Sequence, residues 1–250
     1  MLIRYSTGTD KGKVRDRNED NSIIIDCDSY MVFAVADGMG GMDFGDVAST
    51  TAVDCIEKEL SECGMQSFTE TEVKKLFARV FNLINNKIIK KCIEKKSITG
   101  MGTTLSVCIV TDDKAYIGHM GDSRIYIIRG GKAIQVTKDH SYVEELIDSG
   151  RITKEQARSH PNRNIITRAL GLDRDIDVDT DAFNMLEGDR ILLCTDGLTN
   201  AVEDDEIAAM AVEKPEPDKG IAAMIAKANE RGGRDNITVQ LLYKEVKPEE

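Results

Sequence analysis

Apolar residues along this chain fall into short continuous or alternating runs bounded by turn residues, the pattern of β-strands. Runs at 2–7, 22–26, 31–36, 103–111, 113–119, 124–128, 132–136, 176–182, 189–194 and 236–243 predict strands. "TDD" at 111–113 and "RGGK" at 129–132 are hairpin turns, so sequential antiparallel pairing is expected in place of a doubly wound parallel sheet. Elsewhere the period lengthens to that of a helix. Over 46–63, Ala48, Ala52, Ile56, Leu60 and Cys63 line one face, and Gly64 closes the end. Thr69 and Glu72 then stand in capping-box spacing ahead of Val73, Leu76, Phe77, Val80, Ile84 and Ile88. A second helical pair is predicted at about 204–213 and 217–231. Strands, two helices, strands, two helices and a last strand describe an α+β layered domain, with sheets packed together and helices outside. With no linker, repeat or low-complexity stretch, residues 1–250 read as one domain. The polar excursion 138–171 carries only short helical pieces; at that length it reads as a lid or binding segment.

Composition narrows the function classes. With 250 residues and 41% hydrophobic content, the chain has ample material for a core. No stretch reaches the roughly 18 apolar residues of a membrane span, and the amino terminus lacks the apolar core of a signal peptide, so a cytoplasmic protein is expected. The six cysteines form no C-x-x-C pair and sit mostly in apolar runs, as buried free thiols do. Only three histidines are present, so any metal has to be held by oxygen. A net charge of −11 repels nucleic acid and anionic membranes.

The acids are placed unusually. "MVFAVADG" ends at Asp37, "DRILLCTDG" at Asp196, "AYIGHMGDSR" holds Asp122, "GGRDNITVQLLY" opens at Asp235, and "RDRNED" brings Glu19 and Asp20 to the start of a strand. Taken singly, each is an ordinary turn, loop or solvated charge run. Five acidic stations recurring at strand boundaries strain that reading, because strand ends far apart in sequence can converge on one rim of a sheet. Oxygen-only sites suit magnesium, manganese or calcium, and the contiguous acids of an EF-hand are absent. Dispersed carboxylates fit two-metal hydrolysis. Gly38 lets backbone carbonyl and ion approach closely, while Gly40 and Gly41 permit a tight turn into the following helix. A phosphate-binding fork could come from Arg15, with Arg17 and Arg124 as rivals.

The blocks "GKVRDRNED" (12–20), "VFAVADGMGG" (32–41), "TGMGTTLSV" (99–107), "IGHMGDSRIY" (117–126), "TKDHS" (137–141), "NIITRALG" (164–171), "ILLCTDGLTN" (191–200) and "RGGRDNITV" (231–239) resemble the metal-dependent protein phosphatases of the PP2C (PPM) type, particularly bacterial single-domain members. The matches arrive in family order and cover almost the whole chain. The resemblance implies an αββα sandwich of two antiparallel sheets flanked by helix pairs. It also implies hydrolysis of phosphoserine and phosphothreonine in proteins by a water between two Mn²⁺ or Mg²⁺ ions. Asp37 is then the residue bridging both ions, Asp196 and Asp235 complete the first, and the Gly38 carbonyl serves the second. Glu19 and Asp20 act around that second ion directly or through water, and Arg15 becomes the phosphate-binding arginine. Asp122 with Asp196 matches a weaker third metal site, Asn236 orients Asp235, and residues 139–170 form a flap beside the site. Positions where some members carry a proton-donating histidine hold Met39 and Met42 here. His119, reading as part of a strand, and His140 and His160, in the flap region, are poor substitutes.

Two other classes compete with the enzyme: a binding module that keeps the fold without the chemistry, and a protein whose acids merely bind cations. Retention of Asp37, Asp196 and Asp235 together argues against the first, and a requirement for Arg15 separates the second. The expected partners are phosphoproteins and, by analogy, a Ser/Thr kinase of the bacterial receptor type; the chain is expected to act as a monomer, without nucleic acid or membrane.

Overall fold

The computed structural model describes residues 3–40, 44–61, 69–95, 100–214 and 216–244. Its strands are β1 (Ile3–Asp10), β2 (Asp20–Cys27), β3 (Tyr30–Gly40), β4 (Met101–Thr103), β5 (Leu105–Val110), β6 (Lys114–Met120), β7 (Arg124–Arg129), β8 (Lys132–Gln135), β9 (Asp179–Asn184), β10 (Arg190–Cys194) and β11 (Ile237–Lys244). They pair antiparallel into two sheets, β1-β11-β10-β7-β8 and β2-β3-β5-β6-β9, with β4 added to the far end of β3. The helices are α1 (Phe44–Leu60), α2 (Glu70–Glu94), α3 (Tyr142–Asp148), α4 (Lys154–Arg158), the single turn α5 (Asp196–Thr199), α6 (Asp204–Glu213) and α7 (Pro217–Glu230).

Three apolar layers hold these elements in αββα order. Ala48, Ala52 and Ile56 of α1 and Phe77 and Ile84 of α2 pack on Val32, Ala34 and Ile109 of the second sheet. Phe33, Val35 and Ile117 meet Leu193 and Leu242 between the sheets. On the other side Ile207, Ile221 and Met224 cover Leu192, Val239 and Leu241. This explains why "MVFAVA" is apolar without alternation: Val32 and Ala34 face helices, Phe33 and Val35 face the opposing sheet, and neither side sees water. The Thr69–Glu72 capping box is present, each residue's side chain closing on the other's backbone N–H. Gly130 and Gly131 take positive φ (59° and 75°), the conformation of a two-residue hairpin turn. No described helix is long and apolar enough to cross a membrane.

Several boundaries differ from the sequence reading. β1 runs three residues further, to Asp10, and β9 lies later than 176–182 because it pairs with β6 from His119↔Asp179 to Lys114↔Asn184. The run 103–111 is two strands in one register, interrupted at Thr104, whose hydroxyl takes the Asp37 N–H. β3 does not turn at Asp37-Gly38 but continues through them to Gly40, held there by β4. The closing glycines Gly41 and Gly64, with Met42 and Cys63, lie outside the described residues.

Candidate active site

The β2–β3 ladder places Asp20 directly across from Asp37. Both belong to the sheet that carries α1 and α2. The opposing sheet supplies Asp196, first residue of α5 just past β10, and Asp235, just before β11. Asp122 sits where the chain crosses between sheets, from β6 to β7. Thus each sheet contributes two acids and the crossover a fifth. Asp20 and Asp122 are buried; Asp37, Asp196 and Asp235 keep partial contact with solvent.

Their electrostatics show that the five share one well. Burial first, then the charges of Asp20, Asp196, Asp122 and Asp235, push the Asp37 carboxyl well above the usual carboxylate range. Asp122 is pushed well up by burial and then by Asp196 and Asp139. Burial and then Asp235 raise Asp196 to about 6, against the pull of Arg15 and Asn200. Burial raises Asp20 to about 7, although Thr238 and Thr195 each donate a hydrogen bond to it. Oδ1 atoms of Asp20, Asp122 and Asp196 are buried and make no hydrogen bond. Acidic oxygens left without donors are costly unless something positive completes them. Hard, oxygen-only donors of this kind fit magnesium or manganese. Among the described residues no three His, Cys, Asp or Glu side chains close on a point tightly enough to cage an ion unaided.

The surrounding backbone is fixed by the same segments. Asp37 O accepts from the Thr104 N–H and the Thr103 hydroxyl, both at 2.9 Å. A Cβ on Gly38 would sit 2.2 Å from Gly45 O and 2.6 Å from Glu19 O. The glycine is therefore demanded by the close approach of α1 and the Glu19 backbone. Gly40 is the last residue of β3, so it extends the strand before the chain reaches α1. Asn236 gives Asp235 Oδ1 its backbone N–H at 2.9 Å. Its side chain instead organises the 11–19 loop: Oδ1 accepts from Glu19 N at 2.8 Å, and Nδ2 donates to Lys11 O and Arg17 O. That loop delivers Arg15, whose Nη2 donates to Asp235 Oδ2 at 2.7 Å. The Arg15 side chain is half exposed, and Asp37 and Asp196 also act on it. Arg124 is committed elsewhere, to both oxygens of Asp139 and to the Tyr126 hydroxyl.

Imidazoles are engaged away from the well. His119 bonds the Ser106 hydroxyl and Lys138 O, and His140 accepts from Gly121 N and bonds Asp179. His160 Nδ1 accepts from Asn162 N within the 139–170 excursion. Cys194 is fully buried, and burial pushes its thiol up, so it is packing and not a nucleophile. A cleft of about 220 Å³ is lined by Asp122 and Asp196 and by Lys154, Arg158 and Arg163 of the excursion. The sequence reading did not single out Thr195 and Thr238, which hold Asp20, or Thr103 and Thr104, which hold Asp37. Their only signal was adjacency to the acidic motifs.

The chain matches the Protein phosphatase 2C family over residues 7–231. It is 37% identical over 239 residues to the serine/threonine phosphatase stp of Listeria monocytogenes, covering 95% of this chain and 94% of that one. The structure of the S. agalactiae serine/threonine phosphatase superposes with a TM-score of 0.91 at 34% identity, over 98% of this chain and 100% of that one. The catalytic domain of the serine/threonine phosphatase PstP in complex with two manganese ions superposes with a TM-score of 0.84 at 32% identity, over 98% and 99%. A well of acids drawn from two facing sheets, beside an arginine fork, is thus found in a chain that belongs to the protein phosphatase 2C family of serine/threonine phosphatases.

Proposed function

We propose that this phosphatase works with two manganese or magnesium ions held by Asp37, Asp196, Asp235 and the Gly38 carbonyl, with Glu19 and Asp20 around the second. The observation that carries this reading is the meeting of five carboxylates from both sheets at Asp37, three of them with a buried, unpartnered oxygen. The PstP relative in complex with two manganese ions supports it. Bound there, such ions would activate a water for in-line attack on phosphorus and neutralise the attacking and leaving oxygens.

The protein's own residues supply position and charge. Asp37, on which burial and four neighbouring acids act, would serve both ions. Asp196 and Asp235 would hold the first, and Asp122 with Asp196, both lining the cleft, would offer a weaker third site. Arg15 presents a planar, permanently charged fork to the phosphoryl oxygens, leaving Asp235 as substrate enters. Met39 in β3 offers no proton to the leaving oxygen, and the described histidines are engaged elsewhere. The same reading makes residues 1–250 one catalytic domain with a flap at about 139–170, a cytoplasmic monomer that opposes a Ser/Thr kinase on shared phosphoproteins.

A phosphoserine and phosphothreonine peptide panel, assayed with manganese, magnesium and calcium beside Asp37→Asn, tests it. Turnover with manganese or magnesium, little with calcium, and none for Asp37→Asn is expected. Cation-independent turnover, or an active Asp37→Asn, would defeat it.

A further inference from the structure

Asp20 is the end point of a hydrogen-bond relay whose direction can be deduced atom by atom. The Asp20 carboxyl that serves a cation is ionised and only accepts, so the hydroxyls of Thr195 and Thr238 both donate to its Oδ2, each at 2.8 Å. A hydroxyl carries one hydrogen. With the Thr238 hydrogen committed to Asp20, the 2.9 Å contact between Thr9 Oγ1 and Thr238 Oγ1 has to run from Thr9 to Thr238. Thr9 Oγ1 in turn accepts from Asn18 Nδ2 at 2.8 Å. Thr195 Oγ1, having donated, accepts from the Thr238 N–H at 2.9 Å. Every link points one way, from the β1 edge of one sheet, through β11, into the acid of the other. Donors in series polarise one another, so the last link is strengthened.

The relay uses one oxygen only. Both donors meet Oδ2, while Oδ1 is buried and has no partner. Thr195 and Thr238 are fully buried, so no solvent competes for their hydrogens.

We propose that Thr195 and Thr238, backed by Thr9 and Asn18, are positioning residues of the metal centre: they lock Asp20 with Oδ2 turned into the protein and Oδ1 presented to an ion or its water. This rests on the two-ion reading above and adds the element that fixes which oxygen serves. The competing role is a plain inter-sheet staple, which would affect folding but not cation binding.

Valine keeps the shape of threonine without its hydroxyl, so Thr238→Val removes the donor with little change of volume. Manganese binding to the full chain is measured by titration calorimetry for wild type, Thr238→Val, Thr238→Ser, Asp20→Asn and the Asp20→Asn/Thr238→Val double variant. Outer partners of metal ligands are typically worth ~10–100-fold in affinity. The expected result is about tenfold or greater weakening for Thr238→Val, recovery in Thr238→Ser, and no further loss when Thr238→Val is added to Asp20→Asn. Wild-type affinity in Thr238→Val beside a weakened Asp20→Asn would overturn the relay. So would an equal extra loss in the double variant, which would mean that Thr238 acts on binding independently of Asp20. Wild-type affinity in Asp20→Asn would instead remove Asp20 from the metal reading, and the relay with it. Should Thr238→Val not fold, Thr9→Val at the exposed end serves: a few-fold weakening supports the relay, and unchanged affinity overturns it.

Discussion

Asp20 and Asp37 face each other across the β2–β3 ladder. Like charges in direct cross-strand register destabilise a sheet, and burial worsens the cost. On the two-ion reading, the arrangement holds stability in reserve for a cation. Asp37→Asn is therefore expected to raise the melting temperature in metal-free buffer by several degrees, at about 2–4 °C per kcal/mol for a chain of this length. Thermal scans after chelation check this, and a lowered melting temperature would contradict it.

Stability of the metal-free protein should also depend on pH in a defined direction. Asp20 at about 7 and Asp196 at about 6 keep their protons to higher pH than in the unfolded chain. Between their unfolded value of 3.8 and these values the folded state binds more protons, so stability falls as pH rises toward and through 6–7. His119, lowered from 6.5 to about 4 by burial, opposes this only below pH 6.5. Melting after chelation is expected to be at least ~2–4 °C higher at pH 6.5 than at pH 8. Added manganese should erase that difference, since bound cations replace the protons.

Arg15 and Asp235 form a 2.7 Å ion pair at the mouth of the well, with the Arg15 side chain 52% exposed. An exposed pair stabilises little, so the guanidinium can exchange Asp235 for a phosphoryl group at small cost. Arg15→Ala should lower kcat/KM on a phosphopeptide by roughly 10–100-fold, the worth of a charge-assisted hydrogen bond. Manganese affinity should not fall, because a cation competing for Asp235 has been removed. Steady-state kinetics paired with calorimetry distinguish this from a loss of the metal site.

Gly38 admits no side chain. With backbone oxygens of Gly45 and Glu19 within 2.6 Å of a Cβ, Gly38→Ala forces β3, α1 or the Glu19 segment to move. Overpacking of this kind costs about 1–3 kcal/mol or more. Chemical denaturation should show that loss, together with loss of hydrolysis.

Much of this was legible in sequence where local chemistry dictates structure. The Thr69–Glu72 box, the α6 span and the apolar faces of α1 and α2 follow from spacing alone. Asp37-Gly38 was misleading, because an Asp-Gly pair after an apolar run is ordinarily a turn. Here the strand persists, since Thr103 of β4 and Thr104 just after it supply its partners from more than sixty residues away. Asn236 reaches Asp235 through its backbone N–H, while its side-chain amide holds the Arg15 loop, a division of roles that no sequence pattern separates. The Thr195–Asp20–Thr238 contact joins residues 175 and 218 positions apart, a separation that no local pattern encodes.

The central claim is that acids from two sheets hold the same cations, with Asp37 common to both positions. Counting manganese ions bound per chain in wild type and Asp37→Asn, by calorimetry on folded protein, tests it most directly. Two tight ions in wild type and loss of both in the variant are predicted; a variant that still binds two ions with unchanged affinity would contradict the account.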